Sequence, residues 1–264
     1  MAPDPRTELA LSSHVDFFRV ASLREPGGAV LDEDGLFLYA GPHPLPVLVN
    51  GAIRIEHDLA AGDVLDRARA FFDARGRGFS VYGLVGRDDD LIEAADAAGM
   101  TSFNDPAPLM VLDGPVPPAD VPEDVRIERV TTPEQVSDAA AVCADAYAVY
   151  GMPADVAPAC LTPLTMLAPD TAVVVAYDPD GPVATASALV ARNVSYIAWV
   201  GTAQRAMRRG FGDAVTRAAT GAGLDLGAGV TTLLASPMGA PVYRRMAFVE
   251  VGHLASRVSM QAGT

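Results

Sequence analysis

Residues 200–220 read VGTAQRAMRRGFGDAVTRAAT, and the residues in this stretch able to do chemistry are Arg208, Arg209, Gly210 and Gly212. Glycine lets a backbone approach a ligand closely. The start of a helix offers unpaired N–H groups and positive potential. Two arginines add formal charge. The ligand such a combination suits is a phosphate or pyrophosphate. The same residues also suit a plain solvated turn, because Gly-x-Gly is common where a strand passes into a helix. Two other phosphate motifs are missing from the sequence: Gly-x4-Gly-Lys-Ser/Thr, and Gly-x-Gly-x-x-Gly with an acidic residue about 20 positions on.

These residues need a strand before them and a helix after. The β-branched and aromatic run VSYIAWV predicts a buried strand over 194–200. Phe211, Ala214, Val215, Ala218, Ala219 and Ala222 recur at helical spacing and predict one apolar face. Asp213 falls in the first turn, where a carboxylate suits the helix dipole. Gly221, Gly223 and Gly227 are expected to end that helix. Upstream, VRIERV reads as a short strand, and TTPEQVSDAAAVCADAYAVYG as a helix opened by a Thr cap and a proline. PADVAPACLTPLTML reads as a broken helical segment. Residues 171–202 read as a three-stranded meander turned by Asp-Pro-Asp-Gly and Arg-Asn. VTTLLAS, MGAPVYRRMAF and VEVGHLASRVSM then read as strand, short helix and strand.

The segment LDGPVPPADVPED, residues 112–124, carries four prolines and no periodicity. It reads as a linker and divides the chain into residues 1–118 and 119–264. The first part echoes the second. GDVLDRARAFFDARGRG, FSVYGLV, DDDLIEAADAAGM and TSFNDPAPLMVLD give helix, strand, helix, strand at nearly the spacing found after Gly212, a weak repeat of about 90 residues. The turn before the first of these helices is DLAAGDV, with neither paired arginines nor Gly-x-Gly.

The chain has 264 residues, half of them apolar, and a net charge of −14. Residues 1–120 hold 20 acidic and 9 basic residues, so the acidity is concentrated there. A nucleic-acid partner is not expected of such a chain. The acidity fits a solvated surface, and also a field that attracts a cationic substrate. No apolar run approaches the roughly 20 residues that span a bilayer, so no membrane association is expected. MAPDPRTELALSSHVDFF lacks the basic start of a signal peptide. Cys143 and Cys160 are too few for a disulfide framework or zinc site and fit a reducing cytoplasm. His14, His43, His57 and His253 are scattered, and no metal site is expected. A homodimer is compatible with the sequence.

The order of elements from residue 125 to 260 resembles the GCN5-related N-acetyltransferase (GNAT) family. VGTAQRAMRRGFG is similar to that family's pyrophosphate signature, and LLASPMGAPVYRRMAF to its closing Ala-Ser…Tyr-x-x-x-Gly-Phe motif. Met207 stands where Arg or Gln often opens the signature, and Ala247 replaces the glycine before Phe248. The resemblance implies an α/β fold of the α+β kind: a mixed, mostly antiparallel central sheet flanked by helices, here a tandem of two related halves with a degenerate first copy. It implies acetyl-coenzyme A as donor. Val200, Gly201 and Thr202 would lie along the pantetheine arm. Arg208, Arg209, Gly210, Phe211, Gly212 and Asp213 would wrap the pyrophosphate, Ser236 would bind or cap nearby, and Tyr243 would give a proton to the leaving thiolate. The acceptor would be a primary amine of a small molecule or peptide. The meander strands ATASALVARN and VSYIAWVG carry no Asp or Glu to serve as base. Ser195, Tyr196, Tyr147 and Tyr150 are polar groups able to line the acceptor site, although a structural role is the favoured reading of each. A non-catalytic acyl-CoA-binding or sensing protein is the alternative.

Overall fold

The repeated local order has a physical counterpart in two meanders, each followed by a helix that carries the chain across to a parallel strand. The computed structural model describes residues 4–103 and 106–260. Residues 104 and 105, inside the stretch expected as a strand over 101–113, lie outside the described residues, as do 1–3 and 261–264. Two compact units emerge: Met1–Phe17 with Met110–Val251, and Phe18–Leu109 with Gly252–Thr264. The chain enters through a long helix α1 (Pro5–Arg24), to which the sequence reading assigned no element.

In the Phe18–Leu109 unit, β1 (Ala29–Glu33), β2 (Leu36–Ala40) and β3 (Asn50–Arg54) form an antiparallel meander. Helix α2 (Ala61–Asp73) then leads to β4 (Phe79–Leu84), which lies parallel to β3 with Gly51 opposite Ser80. Helix α3 (Asp89–Ala97) and the two-residue β5 (Thr101–Ser102) follow. Residues 254–259 of the last strand, β12 (Val249–Ser259), run antiparallel to β4. The amphipathic face of α2 buries Val64, Leu65, Ala68, Phe71 and Phe72, and Phe72 stacks on Phe79 with centroids 4.7 Å apart.

A charged cluster is buried in the same unit. Arg54 and Asp88 are each 1% exposed. Asp88 Oδ1 accepts from Arg54 Nε at 3.0 Å and Nη2 at 2.9 Å, and its Oδ2 accepts from the Leu84 N–H and from Arg87. Arg54 also donates to Leu59 O and to both oxygens of Asp90. Removing one member strands a buried charge, so Arg54→Ala is expected to destabilise the protein by about 3–5 kcal/mol in denaturant titration. A loss under 1 kcal/mol would show that the cluster is effectively solvated.

In the Met110–Val251 unit the strands run in the order β6 (Ala107–Asp113), β11 (Val230–Leu234), β10 (Val194–Thr202), β9 (Gly181–Ala191), β8 (Thr171–Asp178), β7 (Arg126–Arg129). β7 to β10 pair antiparallel, and β10–β11 is parallel across helix α7 (Phe211–Asp225). Helix α4 (Pro133–Tyr147) is capped by Thr132 and followed by the short α5 (Val156–Cys160) and α6 (Pro163–Met166). Helix α8 (Ala240–Arg245) precedes β12. Alternate residues of β8 face opposite layers. Ala172, Val174 and Ala176 join the core shared with α7, and Val173, Val175 and Tyr177 that shared with α4. The mixed, mostly antiparallel sheet flanked by helices is thus as the sequence led one to expect.

Three details differ from the sequence reading or extend it. The proline-rich segment is not a free tether: Val116 and Val121 pack against the α7 core, and Arg217 donates to Pro117 O at 3.1 Å. Helix α7 runs through Gly221 and Gly223 to Asp225, and Gly227, at φ +97°, follows its end. Gly223 is there for packing, since a Cβ would lie 2.3 Å from Ser195 Oγ. The start of α1 joins this unit, with His14 Nδ1 2.6 Å from Tyr196 Oη and Ser13 Oγ 2.6 Å from Thr232 Oγ1. Burial pushes the His14 imidazole down to about 3, so it is neutral at pH 7. No helix among the described residues is long and apolar enough to cross a membrane.

Candidate functional site

The site grows from an irregularity in β10. The pairing with β9 shifts between Ala198 and Gly201, and Trp199 adopts φ +51°, a bulge that re-aims the strand. Side chains from α4 hold the bulge: Cys143 Sγ donates to Trp199 O at 3.4 Å and Tyr147 Oη to Val200 O at 3.1 Å. Burial raises both the Cys143 thiol and the Tyr147 phenol above their usual ranges. Gly201 is buried against α4, where a Cβ would sit 3.2 Å from Ala146 Cβ. Thr202 pairs with Ala184 and lies beside Gly212, whose added Cβ would be 3.2 Å from Thr202 Oγ1. Val200, Gly201 and Thr202 therefore run up to the helix start, as a ligand lying along β10 toward α7 requires.

Beyond β10, a 3₁₀ turn over Gln204–Ala206 is capped from α4, with Asp145 Oδ2 accepting the Gln204 N–H at 2.6 Å. Arg208 has φ +60° and Gly210 φ +86°, so two left-handed residues flank Arg209. Turns of this kind gather successive N–H groups into a concavity for an anion. Gly210 is the N-cap of α7, and no side chain caps the helix there, whereas Thr132 caps α4. A Cβ on Gly210 would meet nothing within 4 Å, so the space above the turn is open. These features fit a pyrophosphate.

The arginines differ in how they are held. Arg208 has no hydrogen bond or ion pair among the described residues. The Arg209 guanidinium lies 4.9 Å from the Phe211 ring centroid and 3.8 Å from Asp178 Oδ2. Arg205, which the sequence reading passed over, forks onto Asp178 at 2.8 and 3.0 Å. Arg205 and Arg209 thus share the Asp178 carboxylate, while Arg208 is left without an ion pair among the described residues. At the end of β3, the matching position of the other unit, Arg54 is held by Asp88 and Asp90 from the start of α3, where Arg87 also pairs with Asp88. Asp213 is ion-paired with Arg217 one turn along α7 at 2.7 Å, while Phe211 is buried and anchors the helix start.

Ser236 Oγ accepts the Gly239 N–H at 3.1 Å, which turns the chain into α8. Tyr243 follows on α8, 7% exposed and packed against Phe248 with centroids 5.9 Å apart. Burial, then the nearby Tyr150, raises its phenol above the usual range. Its hydroxyl has no hydrogen-bond partner among the described residues. Tyr147, Tyr150 and Tyr243 are close enough for one charge to be felt by another, and Tyr147 lies 6.0 Å from Trp199. Tyr196 also acts on Tyr147, but its hydroxyl is engaged with His14, and Ser195 faces Gly223 of α7. The residues missed by sequence reasoning are Arg205, Asp178, Asp145 and Cys143. The signals available for the first two were an arginine three positions before Arg208 and an Asp-Pro-Asp-Gly turn read only as a turn.

No protein-family model matches the chain, and no curated protein matches it. Solved structures do. A GCN5-related N-acetyltransferase from Kribbella flavida is 22% identical, with a TM-score of 0.70 over 97% of this chain and 96% of that one. A GCN5-related N-acetyltransferase from Sphaerobacter thermophilus is 14% identical, with a TM-score of 0.64 over 100% and 96%. A tandem GNAT protein from the clavulanic acid biosynthesis pathway is 14% identical, with a TM-score of 0.60 over 98% and 94%. The chain therefore has the GNAT fold along its full length. The meander and parallel crossover recur in it twice, as β1–β2–β3–α2–β4 and β8–β9–β10–α7–β11.

Proposed function

We propose that this protein is an N-acetyltransferase that uses acetyl-coenzyme A to acetylate a primary amine of a small molecule or peptide. The observation that carries the reading is the β10–α7 junction, where an uncapped helix start, a left-handed Gly210 and an unpartnered Arg208 meet below the bulge. Acetyl-coenzyme A supplies the acetyl group as an activated thioester. The chain's own residues have separate parts. The turn at 208–212 and the α7 N-terminus hold negative charge. Backbone groups of Val200 and Thr202 align an extended chain beside β10, as an added strand would. Tyr243, protonated throughout the neutral range, offers its proton where a thiolate would leave. The turn before α2, DLAAGDV, has neither paired arginines nor Gly-x-Gly, which favours donor binding in the Met110–Val251 unit alone.

Arg208→Ala is expected to weaken coenzyme A binding by about 1–3 kcal/mol, the worth of one charge-assisted contact, without lowering the melting temperature. Calorimetric titration alongside thermal denaturation checks both. The proposal itself is tested by titrating the full chain with coenzyme A and by a thiol-release assay over a panel of amines. Absence of binding overturns it. A second reading, a non-catalytic acyl-CoA binder, draws on the groups that hold the bulge: Cys143 and Tyr147 are both kept protonated by burial, and neither can serve as base at neutral pH. Tight coenzyme A binding with no thiol release for any amine would favour it.

A further inference from the structure

We propose that Asp178 is a positioning residue that sets the arginines of the phosphate loop before any anion arrives; the inference rests on the cofactor reading above. Asp178 closes β8, and its side chain is 5% exposed. Its two oxygens accept the fork of Arg205, from Nη1 at 2.8 Å and Nη2 at 3.0 Å. Oδ1 also accepts the Asp180 N–H at 3.0 Å, which fastens the carboxylate to its own turn. Arg205 adds a contact to Pro182 O at 3.4 Å. Arg209 approaches the same carboxylate at 3.8 Å while lying over Phe211. The carboxylate is buried, but the two guanidiniums are 42% and 51% exposed. An arginine has five donors, so a fork onto one carboxylate leaves others for a second anion. Fixing a rotamer-rich side chain in advance removes part of the ordering cost of binding.

A bystander and a positioning residue predict opposite signs. Asp178 is an anion placed beside an anion site. As a bystander it only repels phosphate, so neutralising it would tighten coenzyme A binding. As a positioning residue it holds Arg205 and Arg209 in place, so neutralising it frees them and binding weakens despite the more favourable net charge.

The test is calorimetric titration of the full chain with coenzyme A, for the parent, Asp178→Asn, Arg205→Ala and the double variant. We expect Asp178→Asn and Arg205→Ala each to bind about 10-fold more weakly, and the double variant to lose clearly less than the two losses combined, because coupled residues are not additive. Asp178→Asn binding as tightly as the parent or more tightly overturns the inference, as do fully additive losses. If Asp178→Asn does not fold, the half-exposed Arg205→Ala decides, and parent-like affinity there overturns it. A parent that does not bind coenzyme A overturns the cofactor reading itself, an outcome distinct from a binding parent with an unaffected Asp178→Asn.

Discussion

Gly210→Glu is expected to abolish coenzyme A binding, with a loss of at least about 100-fold, or ~3 kcal/mol. Two effects add. Gly210 sits at φ +86°, where a side chain costs about 1–2 kcal/mol of backbone energy, and its conformation sets the turn that opens α7. The new carboxylate would also project from the residue whose neighbours are to hold a pyrophosphate, so like charges would meet at close range. The protein itself should tolerate the change, because nothing lies within 4 Å of the added Cβ. Gly210→Ala separates the two effects: it carries the backbone cost without the charge and should bind only a few-fold more weakly. Calorimetry on all three proteins gives the comparison. Parent-like affinity in the glutamate variant would place the phosphates elsewhere.

Tyr243→Phe is expected to slow the chemical step by about 10²–10⁴-fold, the usual worth of general acid help, while cofactor affinity changes little. The side chain is buried and packs on Phe248, contacts that a phenylalanine ring keeps. The hydroxyl has no partner among the described residues, so its removal strands no buried donor or acceptor, and the melting temperature should not move. What is lost is a proton at the moment the thiolate leaves, an interaction made in the transition state and not on docking. Single-turnover kinetics on an active amine acceptor reads that step even when product release limits steady-state turnover. An unchanged single-turnover rate would leave Tyr243 as a packing residue and favour the acyl-CoA binder.

What the sequence by itself determined about this protein is local. The meander, the strand–turn–helix around Arg208–Gly212, the order of elements after residue 125 and the echo in the first part were legible, because each depends on neighbours a few residues apart. Side-chain period marks strands and helices, and glycine marks the left-handed turn that opens α7. The same locality made the difference between the two junctions readable, since DLAAGDV lacks what RRGFG has. Tertiary structure alone decided the rest. Helix α1 carries Ser13 and His14 into a core, which is tolerable only because Thr232 and Tyr196, some 180 to 220 positions later, bond to them. Gly221 and Gly223 looked like helix breakers, but Gly223 lies inside α7, since Ser195 on β10 leaves no room for a Cβ. Arg205 and Asp178, 27 positions apart, become a pair only when β8 and the end of β10 meet around β9. A buried polar group must find a partner, and which partner it finds depends on strands that the fold brings together.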